Sequence, residues 1–233
     1  MKMKNTILPI VIALFTMSSL LAQKNCSKYY PMKESSSFQY TMYNKKGKVD
    51  GTTNYEITEV KNLGDVTSAT FHIDFSNAKG KKEFETEYDI TCTGTGIKID
   101  FMSLMPAQMT EQYEEMDVEM NFSGTDVELP NDLNVGQNLD DANVTMTMSM
   151  GGINMNISVD ITDRKVEALE RITTDAGTFD CYQLSEVIKS KSMGINLEMT
   201  SKTWLAEGVG MIKNESYRKG KSEGSTVLSK YSK

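Results

Sequence analysis

The chain has 233 residues, 39% hydrophobic and 24% charged, with 25 Lys and Arg against 32 Asp and Glu, one His, one Trp, three Cys and 17 Met. A single histidine, His72, excludes paired-His zinc sites, two-His iron triads and proton relays built on a second imidazole. The formal charge of −7 leaves no phosphate-neutralising excess, so nucleic acid is excluded as a partner class, and the surplus of methionine is the unusual count.

Lys2 and Lys4 precede an apolar run from Ile7 to Leu21, and Leu20-Leu21-Ala22 ahead of Gln23 has the form of a signal-peptidase site. Residues 1–22 are therefore expected to be a removed signal peptide and residues 23–233 a single antiparallel β domain, exported to the periplasm or secreted, not cytoplasmic. The apolar run holds Pro9 and is shorter than the roughly 20 residues of a spanning helix. Cys26 follows Gln23-Lys24-Asn25 rather than small lipobox residues, which favours a soluble product over a lipid-anchored one. Losing Lys2 and Lys4 deepens the formal charge from −7 to −9.

Beyond that segment the dominant pattern is period-two alternation broken by Gly, Asn or Lys-Gly turns, which predicts an antiparallel sheet with one wet and one buried face. Lys46-Gly47-Lys48, Lys79-Gly80-Lys81 and Lys219-Gly220-Lys221 read as hairpin tips, with Gly at the left-handed position and Lys keeping the tip solvated. Ala69, Phe71, Ile73 and Phe75 share one face against Thr70, His72 and Asp74; Phe84, Thr86, Tyr88, Ile90 and Cys92 do the same against Glu85, Glu87 and Asp89. Ile97, Ile99 and Phe101 follow a turn at Gly94 to Gly96. The alternation then fails. Pro106, with Met105, Met109 and Gln112 on one helical face, predicts a short helical segment over residues 103–113.

Met116, Val118, Met120 and Phe122 resume the strand pattern, and the Asn-, Asp- and Gly-rich stretch from Pro130 to Asn143 reads as a long loop. From Val144 to Ile161 two alternating runs flank Gly151-Gly152, the signature of a two-residue hairpin. Pairing Met150 with Ile153 sets Met148 opposite Met155, Met146 opposite Ile157 and Val144 opposite Val159, with Ser149–Asn154, Thr147–Asn156 and Thr145–Ser158 on the other face. The fold class expected is all-β with minor α: a curved antiparallel sheet of half-barrel form.

Three cysteines in an exported chain suit one disulfide and one remaining thiol, with Cys26, Cys92 and Cys181 all candidates and the pairing open. Methionines cluster at Met102, Met105, Met109, Met116, Met120, Met146, Met148, Met150 and Met155. Three readings stand. Thioethers fill cores adaptably, they line apolar ligand cavities, and outside the cytoplasm they hold Cu(I). Met102, Met105, Met109, Met120, Met146, Met148, Met150, Met155 and Trp204 are accordingly the candidate cavity lining. Catalytic patterns are weak: Ser76-Asn77-Ala78-Lys79 and Ser216-Tyr217-Arg218-Lys219 have the Ser-x-x-Lys spacing, but that chemistry needs a helix to set Lys beside Ser. His72 reads as a solvated strand residue. No enzyme, cofactor or metal is expected.

Thr173-Thr174-Asp175-Ala176-Gly177-Thr178-Phe179-Asp180-Cys181 and Trp204-Leu205-Ala206-Glu207-Gly208-Val209-Gly210-Met211-Ile212-Lys213 resemble paired signatures of an exported bacterial family of unknown function, the TapB-like proteins. Tyr29-Tyr30-Pro31 and Ser103-Leu104-Met105-Pro106-Ala107-Gln108-Met109 are similar to it as well. Proteins of this type resemble, more distantly, the half-barrel lipoprotein carriers and sensors of the bacterial envelope, in which a curved sheet wraps an apolar cavity. The resemblance implies no catalytic residues. The expected function is an exported envelope protein binding an apolar or lipidic ligand, or another envelope protein, on a Met-rich concave face. The alternatives are a structural or interaction module with a solid core, and a Met-rich Cu(I)-binding protein.

Overall fold

A computed structural model describes residues 26–99, 119–150 and 153–232. Every regular element among the described residues is a strand: β1 (Ser37–Asn44), β2 (Val49–Leu63), β3 (Val66–Asn77), β4 (Lys82–Cys92), β5 (Gly96–Ile99), β6 (Glu119–Thr125), β7 (Val127–Pro130), β8 (Ala142–Met150), β9 (Ile153–Thr174), β10 (Gly177–Ser192), β11 (Ile195–Ala206), β12 (Gly210–Arg218) and β13 (Lys221–Ser232). They form one sheet in the order β6-β8-β9-β10-β11-β12-β13-β1-β2-β3-β4-β5-β7, with every neighbouring pair antiparallel. The helical segment expected over residues 103–113 lies outside the described residues, as do Met102, Met105, Met109, Met116 and the Gly151-Gly152 turn.

Alternation sets the faces as expected. Ala69 and Phe71 on β3 and Ile90 and Cys92 on β4 are almost fully buried, while His72, Asp74, Glu85 and Glu87 lie opposite. The β8–β9 register runs Met150–Ile153, Met148–Met155, Met146–Ile157 and Val144–Val159, as the sequence predicts. In two of the Lys-Gly-Lys turns an unforeseen residue does the folding. The side-chain oxygens of Asn44 and Asn77 each accept from two backbone N–H groups of their turn (Lys46 and Lys48; Lys79 and Lys81), and their carbonyls accept from Gly47 and Gly80.

The sheet closes further than the expected half-barrel. Its outer strands, β6 and β7, are consecutive in the chain and separated by Asp126 alone, yet β6 pairs with β8 and β7 pairs with β5. One nearly continuous strand thus serves both edges, which requires the sheet to curl into a nearly closed barrel. Gly124 permits the changeover: at φ +143, a Cβ there would stand 2.1 Å from the Asn143 carbonyl oxygen. Sequence periodicity does not reveal such closure, because the four residues of β7 are too few to show alternation.

Across this seam lies Arg164 of β9, only 4% exposed. Its Nη1 donates to the Asp140 carbonyl at 2.6 Å, its Nη2 donates to the Glu128 carbonyl of β7 at 3.0 Å, and its Nε lies 3.6 Å from Glu186 Oε2 of β10. The long loop expected from Pro130 to Asn143 folds inward over β9. Gly136 N–H donates to the Val166 carbonyl, Val166 N–H to that of Gln137 and Leu139 N–H to that of Arg164, and Leu133 and Leu139 are buried in the main core.

The N-terminal segment is stapled in place by a Cys26–Cys92 disulfide with a Cα–Cα distance of 5.7 Å. Asn131 reinforces the staple, accepting from Lys28 N–H and donating to the carbonyls of Cys26 and Gly94. Tyr29 is consequently buried to 1% exposure, edge-on to Tyr182 at 6.3 Å. Cys181 is the remaining thiol; burial removes it from solvent and pushes its pKa up to about 11, so it is a core residue rather than a nucleophile.

Candidate functional site

Inside the barrel the register of four neighbouring strands collects aromatic side chains. Phe38 and Tyr40 of β1 project to the same side as Tyr55 of β2, Phe71 of β3 and Tyr88 of β4, because Phe38 opposes Tyr55 and Phe71 opposes Tyr88. With Tyr30 and Met211 they line a cavity of about 200 Å³. Tyr40 meets Tyr55 edge-on at 5.5 Å, Phe71 stacks on Tyr88 at 5.5 Å, and the Tyr40 hydroxyl donates to the Met211 carbonyl at 2.9 Å. Tyr30 is admitted by Gly210, where a Cβ would come 2.8 Å from its ring.

Burial raises the pKa of Tyr30, Tyr40, Tyr55 and Tyr88, since a phenolate would lose its hydration there. The lining therefore stays uncharged, and offers ring faces, a thioether and phenol groups. Chemically it can hold an apolar or aromatic group; it presents no nucleophile and no general base.

The opposite face of the same strands is polar. A groove of about 410 Å³ there is lined by Gln39, Asn54, Glu56, His72, Asp74 and Lys230, among others. Gln39 Nε2 donates to Asn54 Oδ1 at 2.8 Å, and His72, Asp74, Glu85 and Glu87 form a two-by-two block across β3 and β4.

Of the residues singled out in the sequence, those that the structure describes lie elsewhere. Met120, Met148 and Met155 fall in one cross-strand row, and Phe122, Met146 and Ile157 in the next. Met148 is 8% exposed and Met120, Met146 and Met155 are half-buried, outside the main core cluster. Met150 opposes Ile153. Trp204, by contrast, belongs to that core, with its Nε1–H donating to Glu170 Oε1 at 2.6 Å and Lys213 Nζ 4.7 Å from its ring centroid. Among the described residues, neither Trp204 nor Met120, Met146, Met148 or Met155 lines the aromatic cavity; Met211 does. The tyrosines were the missed signal. Tyr88 was visible as an inward strand position, but Tyr30, Tyr40 and Tyr55 join it only through sheet order.

The family model described as DUF3108-like matches residues 33–228. The chain belongs to the DUF3108-like family. The matched span runs from ahead of β1 into β13 and holds most of the residues that line the cavity and the groove. No curated protein matches the sequence. Two solved structures are similar to this DUF3108-like chain. One, of a candidate exported protein with YmcC-like fold from Bacteroides fragilis NCTC 9343, shares 18% identity at a TM-score of 0.68, covering 89% of this chain and 100% of that one. The other, of a candidate lipoprotein from Parabacteroides distasonis ATCC 8503, shares 21% identity at a TM-score of 0.66, covering 88% and 99%. At these identities the likeness is one of fold.

Proposed function

We propose that this DUF3108-like protein is an exported, non-enzymatic binding protein that holds a small apolar ligand, or the apolar end of an amphiphile, in its tyrosine-lined cavity. The observation that carries the reading is the cavity itself: about 200 Å³ walled by six aromatic rings and a thioether. Its size sets the ligand class. An apolar cavity of ~150 Å³ accepts a benzene-sized guest, whereas drug-sized ligands need roughly 300–1,000 Å³. One ring or a short stretch of acyl chain fits, and a whole lipid does not. Export is supported by the signal-peptide pattern at residues 1–22 and by the descriptions of the two structural neighbours.

Delipidated protein is expected to bind a fluorescent fatty acid. Met211→Trp, which fills the cavity from one wall, is expected to weaken that binding at least tenfold with little change in Tm. Equal affinity in the variant would place the probe elsewhere, and failure to bind any apolar probe would favour a module with a solid core.

A second reading follows from the Met120–Met148–Met155 row. Opposed side chains on neighbouring strands stand roughly 4.5–5.5 Å apart at Cβ, close enough for flexible thioethers to converge on Cu(I). An anaerobic Cu(I) titration against a competing chelator is expected to show one ion per chain, lost in Met148→Leu. Absence of stoichiometric uptake removes this reading.

A further inference from the structure

The polar face behind the cavity carries the chain's sole histidine in an arrangement that neither folding nor the binding role above explains. On β3, His72 and Asp74 point to one side; on β4, Glu85 and Glu87 point to the same side, Glu87 opposing His72 and Glu85 opposing Asp74. His72 Nδ1 lies 3.4 Å from Glu87 Oε1, and His72 Nε2 lies 3.6 Å from Asp74 Oδ2. Both separations exceed the 2.7–3.2 Å of an N–H···O hydrogen bond. Both ring nitrogens thus face carboxylates without bonding to them. One ligating atom each from His72, Asp74 and Glu85 falls within 4.8 Å of the others. The side chains sit beside an open groove of about 410 Å³ which His72 and Asp74 themselves help to line, so a bound ion would keep a coordination position facing that space.

We propose that His72, Asp74 and Glu85 bind a divalent first-row transition metal ion such as Zn²⁺, with Glu87, which faces His72 Nδ1, orienting the ring rather than ligating the ion. The donor set selects the class: an imidazole with carboxylates suits zinc, manganese or nickel, whereas calcium and magnesium take oxygen alone and Cu(I) takes sulfur. The geometry is within reach. Ligands about 2.0–2.2 Å from tetrahedral zinc stand roughly 3.3–3.6 Å from one another, so the three donors must draw in by about an ångström. His72 and Asp74 are 30% exposed at their side chains, and Glu85 is 52% exposed, which leaves them room to do so.

The present counter-ion is Lys82, whose Nζ lies 2.5 Å from Asp74 Oδ1 and also pairs with Glu85. Lys82 is half-exposed, and a solvated pair of this kind is weak. One ammonium faces three carboxylates, so a divalent ion neutralises the cluster better and displaces the lysine into solvent. Lys82 therefore acts as an internal competitor, which gives the site a signature that a diffuse acidic surface lacks.

Isothermal titration of the chelator-treated chain with Zn²⁺ alone decides the matter. The expected result is one ion per chain, with His72→Ala weakening affinity at least tenfold and Lys82→Met tightening it several-fold. Ca²⁺ is expected to bind far more weakly than Zn²⁺. Both substitutions lie on the solvent face, and unchanged Tm values would show that each variant is folded. Wild-type binding that His72→Ala leaves intact, Ca²⁺ binding as tight as Zn²⁺, or no stoichiometric Zn²⁺ binding would each overturn the proposal. None of these outcomes depends on whether the cavity takes a ligand.

Discussion

Replacing both Cys26 and Cys92 with serine is expected to lower the unfolding free energy by about 4 kcal/mol, the chain-entropy value for closing a loop of this length. The bridge spans 66 residues, so it restricts the unfolded chain from the N-terminal segment through β1, β2 and β3 to the end of β4. Native contacts at the staple add to the effect, because Asn131 is positioned by the Cys26 and Gly94 carbonyls and by Lys28 N–H. Urea unfolding with and without reductant measures it. Wild-type protein should lose stability in reductant, the double variant should not respond, and Cys181→Ser should keep the wild-type loss on reduction, since Cys181 is outside the bridge. A wild-type midpoint indifferent to reductant would show that the staple contributes nothing.

The same staple bears on ligand binding. Tyr29 and Tyr30 follow Cys26 closely; Tyr29 is buried in the main core and Tyr30 closes one wall of the cavity. Freed from β4, this segment is held by packing and by the few hydrogen bonds of Cys26 and Lys28 to Asn131 and Gly208, so the double variant is expected to bind the fatty-acid probe more weakly even where its barrel remains folded. Probe affinity at low denaturant, compared with far-ultraviolet circular dichroism, separates loss of the wall from loss of the fold.

What could be read from the sequence was whatever depends on neighbours along the chain. The β8–β9 register followed from Gly151-Gly152 and the parity of the flanking residues, and the inner and outer faces of β3 and β4 followed from alternation alone. Barrel closure and the cavity did not, because both depend on which strands lie side by side. Tyr40, Tyr55 and Tyr88 stand on three different strands and converge only once β1, β2, β3 and β4 are ordered. The block of His72, Asp74, Glu85 and Glu87 likewise needs the β3–β4 register. The methionine count led towards one half of the sheet, while the cavity is built on the other with tyrosine.

Arg164 was hidden for a more local reason. Ile161 is buried, so strict alternation through β9 would turn residue 163 inward and residue 164 outward. Instead Arg164 and Val166 are the buried pair. The parity is reset by irregular pairing of β9 with β10, where the register shifts between Ser185 and Val187 and Asp163 adopts φ +54. A bulge of this kind re-aims a side chain, and here it delivers a guanidinium to the seam.

Substituting Arg164 with methionine is therefore expected to cost about 3–5 kcal/mol, the range for removing one partner of a buried charge pair. Methionine keeps most of the apolar volume but gives up the hydrogen bonds to the Asp140 and Glu128 carbonyls, the second of which ties β9 to β7 across the closure. It also strips Glu186 of its counter-charge. Burial already raises the Glu186 pKa, and Arg164 is the largest of the influences that lower it, so the variant's carboxyl must shift further upward. A carboxyl whose folded pKa lies above its unfolded value favours the folded state below the unfolded pKa and loses that contribution as pH rises through the folded pKa. The deficit of Arg164→Met relative to wild type should thus be larger at pH 8 than at pH 5. Adding Glu186→Gln should recover part of it at pH 8 and little at pH 5. Chemical denaturation at the two pH values measures all four quantities. A deficit that is the same at both, and unmoved by Glu186→Gln, would mean that Arg164 acts only through its backbone hydrogen bonds and that the charge pair adds nothing to closing the barrel.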